Sequence, residues 1–367
     1  MSAQLHTTLR LGRWLGPWAD PHARIPGVHH SELELKGPTS PMRLWRLRPA
    51  RGAINAHLFV LHGLHFLGPE DPRMYRFISS LAASGIEVFA PFIPSLLNLE
   101  LHPEARDESE SAFQWASEAL QGRPLSIFTI SFSSVLGLHL MSTPRFEGRR
   151  ASLMLFGGYH SWADAMSFAL ADVPREKHQP PSDPLNRPIV YLNLAEEMEL
   201  SATDKHALKE AWRAYIQKTW GDPEKKKPQH YKPIAREIAH SLSPTTQALF
   251  LEGCGLQEGD STSIAAALVK AEERLRWLDP SQALRSIQCP LHVVHGADDD
   301  VIPVHHAPAL AEGAIKSPDV KTWVTGLYGH SEGGAWTSLF KRGPAIAQEL
   351  WTMAGILRSI SAIAHTT

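Results

Sequence analysis

The chain has 367 residues, 43% of them hydrophobic and 20% charged, with a formal net charge of −2. That composition supports a sizeable core, in one large domain with an insertion or in two domains, and the near-neutral balance leaves no electrostatic footprint for nucleic acid or an anionic membrane. Cys254 and Cys289 are too few and too far apart in sequence for a disulfide framework or a zinc site, and no apolar run has signal-peptide or membrane-spanning form, so a soluble cytoplasmic protein is expected.

Residues 1–39 contain Trp, His and Pro without clear periodicity and are expected to form an N-terminal extension packed on the core. Residues 42–48 alternate apolar and basic side chains, as a half-exposed strand does. Residues 56–61 (Ala-His-Leu-Phe-Val-Leu) are nearly continuously apolar, which suits a strand buried on both faces, and they end in His62-Gly63-Leu64-His65. A helix is predicted over 74–84, a strand over 86–90 and a helix over 104–121. Residues 125–130 read as a buried strand that stops at Ser131, and 135–141 as an apolar helix. A further strand is predicted over 151–156. Strands and helices alternating in this way imply βαβ units and a mostly parallel sheet.

The rhythm breaks between Ser161 and about Asp260, where Ile189 to Leu192 is the only candidate buried strand. Helical patterns over 204–219 and 233–242 are separated by polar, Pro-rich connections, and the lysine run 225–227 reads as a solvated turn. The sheet pattern then resumes, with a helix over 264–277, strands over 291–295 and 320–324, and a closing amphipathic helix over about 343–363.

Strand, sharp turn with a central serine, helix is the layout of a nucleophile elbow, in which the residues two before and two after the serine must be small because strand and helix pass close together. Here they are Thr129 and Ser133, so the pattern is T-x-S-x-S rather than G-x-S-x-G. After the strand ending at His295 the chain reads Gly296-Ala297-Asp298-Asp299-Asp300-Val301-Ile302-Pro303, and after the last strand Gly326-Leu327-Tyr328-Gly329-His330. A serine, an acid and a histidine thus each follow a predicted strand, at the edge where ligand chemistry collects in open α/β sheets. A serine hydroxyl is a poor nucleophile near neutral pH. It needs a neutral imidazole to take its proton and a carboxylate to orient that imidazole.

This ordered set resembles the α/β-hydrolase superfamily over roughly residues 40–165 and 263–367. The resemblance implies an α/β-hydrolase core in those segments, with residues 166–262 as a helical cap inserted after the sixth strand. It further implies Ser131 as nucleophile, Asp299 as orienting acid, His330 as general base, and the backbone N–H groups of Phe132 and Leu64 as the oxyanion hole. The expected activity is hydrolysis of a small-molecule carboxylic ester, thioester or amide through an acyl-enzyme. The alternatives are acyl transfer by the same triad, or a catalytically impaired binding protein if Thr129 spoils the elbow. Ser133 and Ser134 compete for the nucleophile's place, Asp298, Asp300 and Asp164 for the acid's, and His305 and His306 for the base's. His65 and Trp162 are candidate substrate contacts. The pairs His29-His30 and His305-His306 lack H-E-x-x-H spacing and are expected to be surface histidines, and no dinucleotide or phosphate loop occurs, so neither metal nor cofactor is expected.

Overall fold

The computed structural model describes the chain except residues 1–2, 17–18, 21–22, 55, 172–178, 257–260, 327–344 and 367. Its elements run α1 (Ala3–Leu15), β1 (Val28–Lys36), β2 (Pro41–Pro49), β3 (Ala56–Leu61), α2 (Pro72–Ala83), β4 (Ile86–Pro91), α3 (Pro94–Leu97) and α4 (Glu104–Ala119). There follow β5 (Leu125–Ile130), α5 (Ser134–Ser142), β6 (Arg150–Phe156), α6 (Trp162–Ala169), α7 (Arg187–Leu194), α8 (Ala202–Thr219), α9 (Pro228–Ala239) and α10 (Pro244–Gly253). The chain continues through α11 (Ser261–Lys270), α12 (Glu272–Leu275), α13 (Ser281–Ser286), β7 (Leu291–Gly296), α14 (His306–Gly313) and β8 (Val320–Thr325), and the last described helix is α15 (Ala345–Ala364). Two compact units result: Met1–Asn98 with His102–His160 and Asp279–Thr367, and Leu99–Leu101 with Ser161–Leu278.

The first unit holds one eight-stranded sheet in the order β1-β2-β4-β3-β5-β6-β7-β8. β2 runs antiparallel to both β1 and β4, and every other pairing is parallel. Parallel strands covered by helices on both faces need apolar residues at every position, which is why β3 reads as an unbroken apolar run. Its Leu58 and Val60 enter a cluster with Ile78 and Leu81 of α2 and with Met353, Ile356 and Ile360 of α15. Phe59, pointing the other way, meets Phe113 of α4 edge-on at 5.3 Å. Each such fully buried side chain contributes about 1.5–3 kcal/mol. α1 packs along α15, with Leu11 buried in the same cluster and the Ser361 hydroxyl donating to Gln4 O at 2.8 Å.

Within the expected N-terminal extension, residues 28–36 form the edge strand β1. Of its side chains only Leu35 is buried, and an edge strand open on one side and half-covered on its faces carries little apolar signal.

The second unit is helical. Residues Ile189 to Leu192, read from sequence as a strand, lie in α7, where all four are buried. Pro188 in the first turn of α7 is a helix-start signal that the β-branched and aromatic run obscured. Around α7 pack Trp212 and Tyr215 of α8 and Phe250 of α10, all fully buried. Asn193 fastens the Leu99–Leu101 excursion here: its Oδ1 accepts from Leu101 N at 2.7 Å, and its Nδ2 donates to Leu99 O and Ile189 O at 3.0 Å each. In the lysine turn, Lys226 pairs with the buried Asp183 at 3.0 Å and Lys227 with Glu224. Among the described residues no helix is long and apolar enough to cross a membrane.

Candidate active site

β5 and α5 are joined by a turn that begins at Ser131. Ile130 is extended (φ −124°, ψ 125°), Ser131 has φ +58°, and Ser133 and Ser134 are already helical. Among the described residues only Leu99 and Gln121 share a positive φ without being glycine. The left-handed region costs a side-chain-bearing residue about 1–2 kcal/mol, so neighbouring contacts must hold it. Ser133 supplies several of them. Its buried hydroxyl accepts from Ile130 N at 3.0 Å and lies 2.9 Å from Ile130 O and 3.1 Å from Leu61 O, either of which can take its proton. That ties the turn both to itself and to the end of β3, and gives the serine at 133 a bridging role.

Thr129 is fully buried, and its Oγ1 donates to Met154 O of β6 at 3.2 Å. Its methyl group is accommodated on the helix side: a Cβ placed on Gly137 of α5 would lie 2.4 Å from Thr129 Cγ2. A glycine inside a helix costs about 0.5–1 kcal/mol relative to alanine, so its presence there marks a packing constraint. This partner escaped the sequence reading, although a lone glycine in an apolar helix was the available signal.

The turn after β3 lies against the elbow. A Cβ on Gly63 would sit 3.3 Å from Ile130 O and 3.4 Å from Ser131 Cβ, so a side chain here would press on the elbow. Leu64, next along, is half-buried, as is Phe132, whose ring lies 5.0 Å from Tyr159. The preceding histidine fixes this turn. His62 is almost fully buried, its Nδ1 lies 2.7 Å from Gly63 O, and its Nε2 accepts from Ile93 N at 3.1 Å. Burial pushes its pKa down to about 4, against the raising effect of the Gly63 carbonyl, so the ring is neutral with its proton on Nδ1.

His65 is held within its own loop. Its Nδ1 accepts from Leu67 N at 3.2 Å, its ring stacks on Phe66, and its Nε2 lies 3.5 Å from Asp71, the residue that caps α2. Burial lowers its pKa, with Asp71 opposing. Trp162, the other candidate contact, is buried at the start of α6 in the helical unit.

Of the three aspartates after β7, only Asp299 is buried; Asp298 is exposed and Asp300 half-buried. Asp299 Oδ1 accepts from Val301 N and Ile302 N at 2.9 Å each, and Oδ2 lies 3.4 Å from Nε2 of the fully buried His295. His295 Nε2 is also 2.8 Å from Ile302 O, so this histidine closes the loop that carries the acid. His330 lies outside the described residues, as do Leu327, Tyr328 and Gly329. Its segment departs from Gly326, whose N–H donates to Glu349 of α15 at 3.0 Å. His305 and His306 stand at the start of α14, where His306 is buried and accepts from His160 N at 3.3 Å, so it is not the surface histidine expected.

The arrangement therefore brings together, at the C-terminal edge of one sheet, a serine in left-handed conformation after β5, a glycine turn after β3 and a buried carboxylate after β7. No protein-family model matches the chain, and no curated protein does. Solved structures similar to it include an acylaminoacyl peptidase of Pyrococcus horikoshii (9% identity, TM-score 0.49, covering 92% of this chain) and an esterase of Pyrococcus furiosus (10% identity, TM-score 0.48, 91% of this chain and 90% of the esterase). A cold-adapted esterase from an Arctic intertidal metagenomic library is also similar (10% identity, TM-score 0.45, 93% of this chain and 97% of that one). The chain spans 41% of the length of the peptidase. At such identities and TM-scores the likeness carries no assignment, and what the molecule itself shows is an α/β fold, an eight-stranded and mostly parallel sheet flanked by helices.

Proposed function

We propose that the protein is a serine hydrolase that cleaves a carboxylic ester, or a related thioester or amide, through an acyl-enzyme. The observation that carries this reading is Ser131, held at φ +58° where β5 gives way to α5. In the proposed reaction Ser131 Oγ attacks the acyl carbon while His330 takes its proton. The backbone N–H groups of Phe132 and Leu64 receive the developing oxyanion, each worth about 10²–10³ in rate. Asp299 fixes the tautomer of His330 and stabilises the imidazolium. Its support is the burial of Asp299 and the two amides that hold its Oδ1. His330 then protonates the leaving group, and water attacks the acyl-enzyme by the reverse route. The same reading makes residues 166–262 the cap of the enzyme, and Trp162, shortly before it, would contact substrate with His65 of the β3 turn.

The test is labelling with a fluorophosphonate probe. Wild-type protein takes the label, Ser131→Ala and His330→Ala do not, and hydrolysis of p-nitrophenyl esters falls on the acid side at roughly pH 6–7 as the base protonates. A well-folded wild type that takes no label refutes the proposal and leaves a binding protein on a hydrolase fold.

A further inference from the structure

We infer that Thr129 and Gly137 form an interlocked pair that positions Ser131, the small residue required by the elbow having moved from the strand to the facing helix. The inference rests on the reading of Ser131 as a nucleophile. Elbows of the G-x-S-x-G type keep strand and helix close by carrying glycine on both sides of the serine. Here the side before the serine carries a β-branched residue with no exposed surface at all. Both of its branches have a defined seat. Oγ1 donates to Met154 O across the β5–β6 pairing, and Cγ2 occupies the space that a side chain at 137 would need.

The two seats fix the Thr129 rotamer. A β-branched side chain is stiff about χ1, and rotation to relieve a clash at Cγ2 would break the bond to Met154. A methyl group on residue 137 therefore meets Cγ2 at 2.4 Å and the flexible Leu153 Cδ1 at 3.1 Å, and the first contact has no easy relief. The remaining freedom is a shift of α5 away from the sheet. α5 starts at Ser134, one helical turn before residue 137, so a shift there reaches the end of the elbow turn that begins at Ser131. Between the serine and the helix, Ser133 is tied to Leu61 and Ile130, so the turn cannot follow the helix without losing those bonds. Thr129 and Gly137 are thus positioning residues: neither touches the reacting atoms, and together they set where the nucleophile sits.

The experiment compares wild type, Thr129→Ser, Gly137→Ala and the double variant by melting temperature and by rate of fluorophosphonate labelling. Thr129→Ser deletes Cγ2 and keeps the hydroxyl that donates to Met154. Gly137→Ala slows labelling at least about tenfold and lowers the melting temperature, because a displacement near 1 Å at a reacting group costs on the order of 10²-fold. Thr129→Ser alone stays within about threefold of wild type, and adding it to Gly137→Ala restores labelling to that same range. The inference is overturned if Gly137→Ala labels at the wild-type rate, even with a lowered melting temperature, or if the double variant is as slow as Gly137→Ala. Failure of the nucleophile reading is distinguishable: the wild type itself then takes no label. The interlock is in that case judged on melting temperature, where purely additive changes would sink it.

Discussion

Acid sensitivity of the turn after β3 can be worked out from His62. In the unfolded chain its pKa is 6.5, and in the folded protein it is pushed down to about 4, because the ring is buried and its Nε2 is already an acceptor for Ile93 N. Above pH 6.5 the ring is neutral in both states and the group has no effect on the balance between them. Between 6.5 and 4 the unfolded chain binds a proton that the folded protein refuses, so folding stability falls as pH falls. At about 1.4 kcal/mol per pH unit the loss reaches about 3 kcal/mol near pH 4, where it levels off because the folded ring also protonates. His62→Gln removes the titration and keeps an amide able to donate and to accept. Urea unfolding followed by circular dichroism, at half-unit steps from pH 4 to pH 7, should give a wild-type stability curve that drops by about 3 kcal/mol more than that of the variant across the window. His292, whose pKa burial also lowers to about 4, bends both curves equally and cancels in the difference. Two parallel curves would show that His62 is not held neutral by the fold, and would remove the case that it fixes the Gly63–Leu64 turn.

Two further outcomes follow from contacts already described. Ser131→Gly should abolish fluorophosphonate labelling and yet raise stability by about 1 kcal/mol in urea unfolding, since glycine occupies φ +58° without strain; a destabilised variant would show that the serine hydroxyl contributes more than its backbone costs. Asn193→Ala should destabilise by about 1–3 kcal/mol, because it takes the side-chain partner from the Leu101 N–H and the Leu99 carbonyl of the helical unit; a loss below about 0.5 kcal/mol would mean that water replaces the amide.

Most of the sheet was legible because its strands are buried on both faces and so carry unbroken apolar runs: β3 falls at Ala56–Leu61, as the pattern requires. β1 was not, because residues 28–36 form an edge whose alternation contains mostly polar side chains. α7 was misread because strand and helix are indistinguishable in a four-residue apolar run that is buried all round. At the candidate site, the sharp turn at Ser131 was readable from the abrupt end of β5, and Asp299, chosen for its place three residues beyond Gly296, is the buried one of the three aspartates. Contacts between distant residues were out of reach. Thr129 looked like an obstacle because the space that receives its methyl group is made by a residue eight positions later on another element. The structural use of His62, whose Nε2 accepts from Ile93, was equally hidden, since the histidine and its partner lie on different strand ends.

The pairing of α1 with α15 bears on how the chain comes to be folded in a cell. Met353, Ile356, Leu357, Ile360, Ile363 and Ala364 complete the apolar cluster to which β3, β5 and α2 contribute, yet they lie far beyond those elements in the sequence. A ribosome adds about 5–20 residues per second, so β5 stands with one face unfinished for on the order of ten seconds or more before those residues are made. Closure of that face must then wait until α15 has been made, when α15 can also meet α1. Until then the exposed apolar face is prone to aggregation, and truncation within α15 should give aggregates rather than a smaller folded protein.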